Sequence, residues 1–549
     1  MSDLVNLGGF SVPIDRSLTH LRQDLRDDWF PDFLYYEDFL KPAVIVEYIL
    51  SNVSQNHGMY VPGKHSLFNI PKSHFALRYS LETDIIDRFV YQATTSFLML
   101  RLDSSLSKRV LSHRLETSQS SDRAKYLIRH KIEQWNIFQG ITKYSLDDRK
   151  TLLITDVQNF FENISVADIR STFERLLQNS DHGVSEKIEI RCAIETLLRC
   201  LKYWSFNGLN GLAQNRDASH FISNVVMSKL DEIMLAHNFD YYRYVDDIRV
   251  ICEDKYQARR ALKILISELR NFGLSTNTQK TIIFDATDHA AVERFFESDN
   301  ESIDRIDAMF RSRSKFVIAR SLPLLAELCQ KLIQEQKTQS RAFRFCIERL
   351  ERLLRCENFD LGAEHFNQIA TGVIDALEEN AVTSDKFVSF LSACQLSFQN
   401  QTRLIEYICD REKTISPWQN FLLWRMFALK DILSPKLQTL AITLVNEEVY
   451  SPECNSALVY LAKLYPEKVD SDIWRKLQKN KCFMFQRAVL LSLHERDLHP
   501  FYRDIAKACV PSVRGTGRRI KESALKGVYI SSPEPFSFHE LYDHLSQYE

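Results

Sequence analysis

Two adjacent carboxylates, Asp246 and Asp247, lie between two strand-prone runs of the chain. Residues 239–244 are mostly aromatic and residues 248–252 are rich in β-forming side chains, so the pattern predicts a hairpin with the two aspartates at its turn. Paired carboxylates suit the binding of Mg²⁺, because a cation removes the cost of holding two negative charges together. An ordinary polar turn is the alternative, since Asp is common in turns.

A third carboxylate favours the metal-binding interpretation. Asp156 ends a strand of buried type over residues 152–156. If Asp156 and Asp246 lie on neighbouring strands, they can hold two Mg²⁺ ions about 3.5–4 Å apart, which activates an attacking hydroxyl and stabilises a leaving pyrophosphate. Asp247 is then the auxiliary carboxylate. These three residues together predict nucleotidyl transfer.

The neighbouring elements have the signals needed to position these carboxylates. Ser165 and Asp168 form a capping-box pattern that opens an amphipathic helix. The glycine-containing loop of residues 208–215 leads into another helix, and such a loop lets backbone approach a nucleotide closely. A helix over residues 258–269 is expected to stop at Gly273.

The composition is that of an ordinary globular protein. The 549 residues are 45% hydrophobic and 26% charged, with a formal net charge of −2. Length alone predicts about three or four compact units, and we expect neither a membrane span nor a secretory signal. The 11 cysteines include no CxxC pair, which argues against a zinc site and a disulfide framework. Because the net charge is slightly negative, any surface that binds nucleic acid must be a local basic channel.

The chain changes character near residue 300. Beyond about residue 305, apolar side chains recur at helical spacing, as in Phe343, Ile347, Leu350 and Leu354. Pro435, among other prolines, marks the breaks between these helices. The pattern favours an irregular HEAT-like solenoid of helix pairs, and a compact helical bundle is the alternative.

The order of motifs over about residues 68–280 resembles that of reverse transcriptases. This resemblance implies an α+β fold with fingers and palm over residues 1–300, followed by an all-α helical-repeat domain over residues 301–549. It also assigns roles to individual residues. Asp156, Asp246 and Asp247 match the catalytic palm aspartates, and Phe161 matches the steric gate that rejects a ribose 2′-hydroxyl.

The resemblance places further residues beside the incoming nucleotide. Arg78 and, less specifically, Lys72 match triphosphate contacts of the fingers, whereas Gly211 and Gln214 match the loop and helix next to the nucleotide. Lys280 matches a lysine near the leaving pyrophosphate, although a solvated lysine is an equal alternative. We expect Arg88 to be a structural ion-pair partner instead of a substrate ligand.

Two departures from the common pattern narrow the resemblance. The loop reads Ala213-Gln214-Asn215-Arg216 in place of the usual Pro-Gln-Gly-Ser, and no basic thumb follows Phe284. With the large helical half, these features resemble the abortive-infection (Abi) phage-defence reverse transcriptases of the AbiK-like group. That family implies protein-primed, template-independent addition of dNTPs to a single DNA strand attached covalently to the enzyme.

This resemblance also implies a homo-oligomer that lies in the bacterial cytoplasm and is encoded by the bacterium or by a prophage. It implies two Mg²⁺ ions as cofactors, with Mn²⁺ as an alternative to them. The sequence leaves the priming hydroxyl open among several tyrosines, which include Tyr35, Tyr36, Tyr48 and Tyr60. A retron-like enzyme that copies an RNA template is an alternative. A non-catalytic scaffold that senses a phage protein is another, against which the three intact aspartates argue.

Overall fold

The computed structural model describes most of the chain. The described residues are 4–73, 76–118, 126–147, 150–205, 208–296, 301–357, 363–447, 450–493 and 502–516, together with Arg519, Pro535, Ser537, Phe538 and Leu541. They contain eight strands, β1 (Leu4–Asn6), β2 (Ser11–Pro13), β3 (Ser66–Pro71), β4 (Leu77–Glu82), β5 (Thr151–Asp156), β6 (Asp240–Tyr244), β7 (Asp247–Cys252) and β8 (Ile282–Asp285).

Four of these strands form an antiparallel sheet in the order β6-β7-β5-β8. β5 is central and buried along its whole length, which explains why residues 152–154 form a continuous apolar run without alternation. The predicted strand ending in Asp156 and the predicted hairpin around the two aspartates are confirmed. Asp247 itself begins β7, so the turn consists of Val245 and Asp246.

Among the described residues up to 296, ten α-helices accompany the strands. They are α1 (Ile14–Asp24), α2 (Pro42–Gln55), α3 (Ile85–Leu102), α4 (Lys131–Ser145), α5 (Phe160–Asn163), α6 (Val166–Gln178), α7 (Val184–Trp204), α8 (Asp217–Ala236), α9 (Lys255–Asn271) and α10 (His289–Phe295).

Two predicted helix boundaries are confirmed by their capping geometry. The Ser165 hydroxyl accepts a hydrogen bond from the Asp168 N–H at 2.9 Å and starts α6. Gly273 has a φ of +68° just beyond α9, and the Leu274 N–H donates to the Leu269 carbonyl at 2.9 Å. Such a left-handed residue ends a helix with little strain only when it lacks a Cβ.

The chain divides into two compact units that do not follow one cut in the sequence. The first comprises Met1–Asp28, Phe39–His65 and Leu81–Ser298, and the second comprises Trp29–Asp38, Ser66–Ser80 and Asp299–Glu549. Sequence patterns indicated a change near residue 300, but they did not show that residues 29–38 and 66–80 pack with the helical unit.

The second unit is built mainly from helices in two rows. The α-helices described after residue 300 are α11 (Glu301–Arg311), α12 (Lys315–Ala319), α13 (Leu322–Gln334), α14 (Arg341–Arg355), α15 (Ala363–Asp375), α16 (Ser384–Ala393), α17 (Phe398–Cys409), α18 (Pro417–Leu429), α19 (Pro435–Asn446), α20 (Pro452–Leu464), α21 (Lys476–Lys479), α22 (Phe483–Ser492) and α23 (Tyr502–Ala508). In one row α13 packs on α15, α15 on α17 and α17 on α19, and in the other α14, α16, α18, α20 and α22 pack in succession.

A buried ion cluster ties the segment of residues 29–38 to α22 within the second unit. The Arg487 guanidinium donates to Asp32 at 2.8 Å and to Asp38 at 2.7 Å. Burial by itself would raise the pKa of Asp32, but the charge and hydrogen bonds of Arg487 hold it below its ordinary value. The Asp32 carboxylate therefore remains ionised inside this unit.

Two other predictions can be compared with the structure. Arg88 pairs with Asp24 at 3.0 Å and with Asp28 at 2.6 Å, all three being buried, so its structural role is confirmed. Among the residues that the structure describes, no helix is long and apolar enough to cross a membrane.

Candidate active site

The three predicted carboxylates come together at one end of the sheet. Asp156 is the last residue of β5 and lies directly opposite Asp247, the first residue of β7. Asp246 occupies the turn before β7, and its carbonyl accepts a hydrogen bond from the Val157 N–H at 3.3 Å. The antiparallel register of β5 and β7 therefore brings residues 90 positions apart in the chain to one place.

The turn that presents Asp246 has an unusual backbone. Val245 has a φ of +56° and is buried. A two-residue hairpin turn with a positive φ at its first position normally has Gly there, and a β-branched residue in this conformation costs about 1–3 kcal/mol. The Val245 N–H donates to the Ser112 hydroxyl at 2.8 Å, and its carbonyl accepts from Arg243 at 2.8 Å.

Arg243 belongs to a buried network that sequence reasoning missed. Its guanidinium, fully buried on β6, pairs with Asp231 at 2.7 Å and donates to the Asn224 side chain at 2.8 Å. The Tyr241 hydroxyl donates to the same Asp231 at 2.8 Å. Burial would lower the pKa of Arg243, but Asp231 raises it. The signal available in the sequence was an arginine at an inward position of an aromatic strand.

The carboxylates carry more negative charge than their neighbours balance. Burial, followed by the charges of Asp156 and Asp247, raises the pKa of Asp246 well above its ordinary value. Burial and Asp156 also raise the pKa of Asp247 to about 6, although Lys280 and Arg249 oppose this. Lys280 forms an ion pair with Asp156. Its burial lowers and the Asp156 carboxylate raises the pKa of Lys280, with a net increase.

These residues fit a divalent cation by their chemistry. Carboxylate oxygens are the donors that Mg²⁺ prefers, and the buried Oδ1 atom of Asp156 makes no hydrogen bond. Across the described ranges, no group of three or more His, Cys, Asp or Glu side chains is already arranged to hold a metal ion. At Asp156 the positive charge comes from Lys280, which lies on the loop before β8.

The predicted nucleotide-site residues Phe161, Gly211 and Gln214 lie together. Gly211 has a φ of +109°, and its N–H donates to the Ile164 carbonyl at 2.9 Å. The next residue, Leu212, donates to the Phe161 carbonyl at 2.8 Å, and the Gln214 side chain donates to Glu162 at 3.3 Å. The loop is thus fixed to the start of α5, where Phe161 is partly exposed.

Lys72 and Arg78 belong to the second unit, in the segment of residues 66–80. The Lys72 N–H donates to the Ala76 carbonyl at 2.7 Å. The Arg78 guanidinium lies 5.8 Å from the ring centroid of Trp29, which belongs to the same unit. Their contact with a triphosphate stays a prediction.

The four N-terminal tyrosines differ in their exposure. Tyr60 is buried, and its hydroxyl donates to Asp87 at 2.6 Å. Burial and the charges of Asp87 and Asp84 raise its pKa well above the ordinary value. Tyr36 is also buried, Tyr48 is half-buried, and Tyr35 is 41% exposed with its hydroxyl accepting from Arg425 at 3.0 Å.

Part of the chain matches a known protein family. Residues 98–290 match the family model described as reverse transcriptase (RNA-dependent DNA polymerase). The matched range includes the three carboxylates, Phe161, Gly211, Gln214 and Lys280. This part of the chain is therefore a reverse transcriptase domain. No curated protein matches the chain.

Solved structures that are similar to the chain include telomerases. The telomerase of Candida albicans, in complex with a fragment of telomeric RNA, is 13% identical over 65% of this chain and 66% of its own, with a TM-score of 0.28. Apo telomerase of Candida tropicalis is 9% identical over 85% and 74% of the two chains, with a TM-score of 0.27. This chain thus spans just under two thirds of the Candida albicans structure.

Proposed function

We propose that this protein adds deoxynucleotides to a strand attached to itself, without a template. The observation that supports the catalytic part is the convergence of Asp156, Asp246 and Asp247, which have too little positive charge around them in the protein alone. Such a group attracts divalent cations, and the reverse transcriptase domain supplies the reaction class.

In this proposal, Asp156, Asp246 and Asp247 hold two Mg²⁺ ions, or Mn²⁺ in their place. When bound, these ions would neutralise the triphosphate and favour loss of a proton from the attacking hydroxyl. Lys280 is on the surface, with its side chain 62% exposed. Its long stem lets the ammonium exchange Asp156 for a phosphate oxygen of the leaving pyrophosphate.

Selection of the sugar is assigned to Phe161. Its backbone carbonyl accepts a hydrogen bond from Leu212 in the loop that carries Gly211 and Gln214, so we expect a nucleotide bound over this loop to meet the Phe161 ring with its ribose. A 2′-hydroxyl would then collide with the ring, whereas a deoxyribose would not. We therefore expect dNTPs, not ribonucleotides, to be the substrates, with Lys72 and Arg78 as triphosphate contacts.

The priming hydroxyl is proposed to be that of Tyr35 or Tyr48. A priming tyrosine must reach the metals and release its proton, and burial opposes both requirements. Tyr60 and Tyr36 are buried, and Tyr60 is also held by Asp87. Exposure therefore favours Tyr35 and Tyr48 over the other two N-terminal candidates.

The biological setting that we propose is antiviral abortive infection in a bacterial cytoplasm, with the protein as a homo-oligomer. The helical unit, interpreted as a HEAT-like repeat domain, would sense the phage. The two-row packing of α13 to α20 supports the repeat interpretation, because stacked helix pairs bury a continuous core while leaving extended surfaces for a partner.

One incubation distinguishes these functions. The full-length protein is mixed with Mg²⁺ and labelled dNTPs, first without nucleic acid and then with RNA. Label that resists denaturation but is released by proteolysis supports self-priming, and mass spectrometry then identifies the modified peptide. Label that requires added RNA would instead indicate a templated, retron-like enzyme, and no incorporation in either case would indicate a scaffold.

Tyr35→Phe and Tyr48→Phe supply the matched controls for the priming step. Each change removes only a hydroxyl from a side chain that is not fully buried, so the fold should be unaffected. Loss of covalent label in one variant and its retention in the other identifies the primer. Retention in both variants and in the double variant would exclude these two tyrosines.

A further inference from the structure

A short segment before α4, residues 109–113, contacts the turn formed by Val245 and Asp246. Residues 109–113 run beside β6, where the Arg243 N–H donates to the Arg109 carbonyl and the Leu111 N–H donates to the Arg243 carbonyl, both at 3.1 Å. Val110 and Arg243 form a parallel bridge. This backbone pairing fixes the position of the next two residues, Ser112 and His113.

Ser112 holds the backbone of the residue before Asp246. Its side chain is fully buried, and its hydroxyl accepts the Val245 N–H at 2.8 Å. Its carbonyl accepts a hydrogen bond from the Asn224 side chain at 2.8 Å. Because Val245 has a φ of +56° that a β-branched residue rarely adopts, this hydrogen bond stabilises the backbone conformation on which the direction of Asp246 depends.

His113 leads to a different part of the site. Its ring stacks on that of His220 on α8, with centroids 4.0 Å apart and an interplanar angle of 11°. His220 in turn meets Phe161 edge to face, with centroids 4.9 Å apart and an angle of 89°. The three rings form a continuous series of aromatic contacts that ends at Phe161, the predicted steric gate.

The His113 ring contacts His220 through its face and not through its nitrogen atoms. It is buried, and neither ring nitrogen makes a hydrogen bond, although Nε2 lies 3.6 Å from Asp217. Burial, with the neighbouring His220 and Lys131, lowers the pKa of His113 well below its ordinary value, so the ring is neutral. A buried, neutral imidazole without hydrogen bonds contributes shape and packing to its neighbour.

We propose that Ser112 and His113 are positioning residues, Ser112 for Asp246 through Val245, and His113 for the ring of Phe161 through His220. Two consecutive residues thereby set the geometry of the metal-binding carboxylates and the discrimination between deoxyribose and ribose. This inference rests on the proposed nucleotidyl transfer and on the role of Phe161 in it.

The first test separates the Ser112 arm from a general loss of stability. Ser112→Ala should lower kcat for dNTP addition about tenfold and weaken Mn²⁺ binding severalfold, while KM for the nucleotide and the dNTP-to-rNTP preference change little. Adding Val245→Gly should restore part of both losses, because Gly adopts a positive φ without support. Unchanged kcat and Mn²⁺ binding in the folded Ser112→Ala protein would overturn this arm.

The second test concerns the stack of rings. His113→Ala should reduce the preference for dATP over ATP about tenfold, measured as the ratio of kcat/KM values, because His220 loses the ring that holds it against Phe161. His113→Phe retains an aromatic partner for His220 and should retain most of the preference. Equal preference in wild type and in both folded variants would overturn this arm.

Failure of the proposed function gives a different result from failure of this inference. If the wild-type protein adds no nucleotide, the function is wrong, yet both arms can still be measured in the full-length protein without turnover. Mn²⁺ binding and hydrogen exchange at the Val245 amide report on Ser112. The dissociation constant of ATP divided by that of dATP, both measured with Mn²⁺, reports on His113. Ser112→Ala must speed exchange at Val245, and His113→Ala must lower this ratio, or the inference is wrong.

Discussion

Two groups of buried carboxylates in this protein differ in how their negative charge is balanced. In the helical unit, Arg487 donates to both Asp32 and Asp38 and lowers the pKa of Asp32. In the first unit, Asp156, Asp246 and Asp247 share the largely exposed Lys280, and the pKa values of Asp246 and Asp247 are raised. The first group is complete within the protein, whereas the second has capacity for added cations.

This difference separates a structural cluster from a candidate functional one. Buried charges that the protein neutralises itself fix a local conformation, and removing one partner is costly. Buried charges that repel each other lower stability and persist where a ligand compensates them. Four experiments test this comparison, in order of the expected effect.

Asp246→Asn should have the largest effect, and on activity. Removing one of these mutually repelling charges should lower the rate of nucleotide addition about a thousand-fold or more, because metal ions stabilise the transition state by several kcal/mol. The free energy of unfolding without metal should stay the same or rise, because the lost charge was repelled. Nucleotide incorporation and urea unfolding measure the two quantities.

Asp240→Asn is the control for that change, because it lies on the same hairpin and forms a partly exposed ion pair with Arg109 at 2.8 Å. It should retain activity. A substantial signal in Asp246→Asn would refute the assignment of a metal ligand.

Arg487→Gln should have the next largest effect, and on stability. Two carboxylates would be left buried without their cation, which costs about 3–5 kcal/mol. Chemical denaturation should show this loss, which added Mg²⁺ should not restore. Arg344→Gln changes an exposed arginine of the same unit and should cost less than about 0.5 kcal/mol. Equal stability of the two variants would contradict the comparison.

Acid should weaken the first unit before it affects the Arg487 cluster. Burial, followed by the charge of Arg16, lowers the pKa of His20 to about 4. The unfolded chain therefore takes up the proton first as the pH falls below about 6.5, and the stability supplied by His20 is lost between about pH 6.5 and 4. The loss should be about 2 kcal/mol at pH 5.

Asp32 also loses its contribution in acid, but at a lower pH than His20. Its lowered pKa means that the contribution is fully present above the usual carboxyl range and is lost as the pH falls through that range. Hydrogen exchange, corrected for the intrinsic rates, should therefore show that opening increases more around α1 than around α22 when the pH is lowered from 7 to 5. His20→Gln should remove this increase around α1. An unchanged increase in that variant would refute its origin in His20.

Addition of Mg²⁺ should have the smallest effect. At ten times its dissociation constant, a ligand that binds only the folded state stabilises it by about 1.4 kcal/mol. Thermal unfolding should shift upward for the wild type and for Arg487→Gln, but not for Asp246→Asn. A shift of similar size in Asp246→Asn would place the ion elsewhere.

Local sequence signals predicted much of the reverse transcriptase domain. Asp156 stood at the end of an apolar run, Ser165 and Asp168 had capping-box spacing, and Gly273 followed an amphipathic helix. Each of these signals depends on residues a few positions apart, for which the physics of strands and caps is sufficient. The match of residues 98–290 to the reverse transcriptase model confirmed the domain that their order suggested.

The features that escaped prediction depend on contacts between distant residues. Ser112 meets Val245 across 133 positions, and Arg487 meets Asp38 across 449 positions. The residue type of an isolated arginine or serine does not reveal whether its side chain is buried, and hydrophobic periodicity does not distinguish the two cases. The packing of residues 29–38 and 66–80 with the helical unit escaped prediction for the same reason.

The Arg487 cluster also has a consequence for the birth of the chain on the ribosome. Asp38 is synthesised 449 residues before its partner, which at about 5–20 residues per second is a delay of roughly 20–90 s. Phe30 and Phe33 can pack earlier, because their partner Phe421 lies on α18. Asp32 and Asp38, however, lack the guanidinium that pairs with them until α22 has been synthesised.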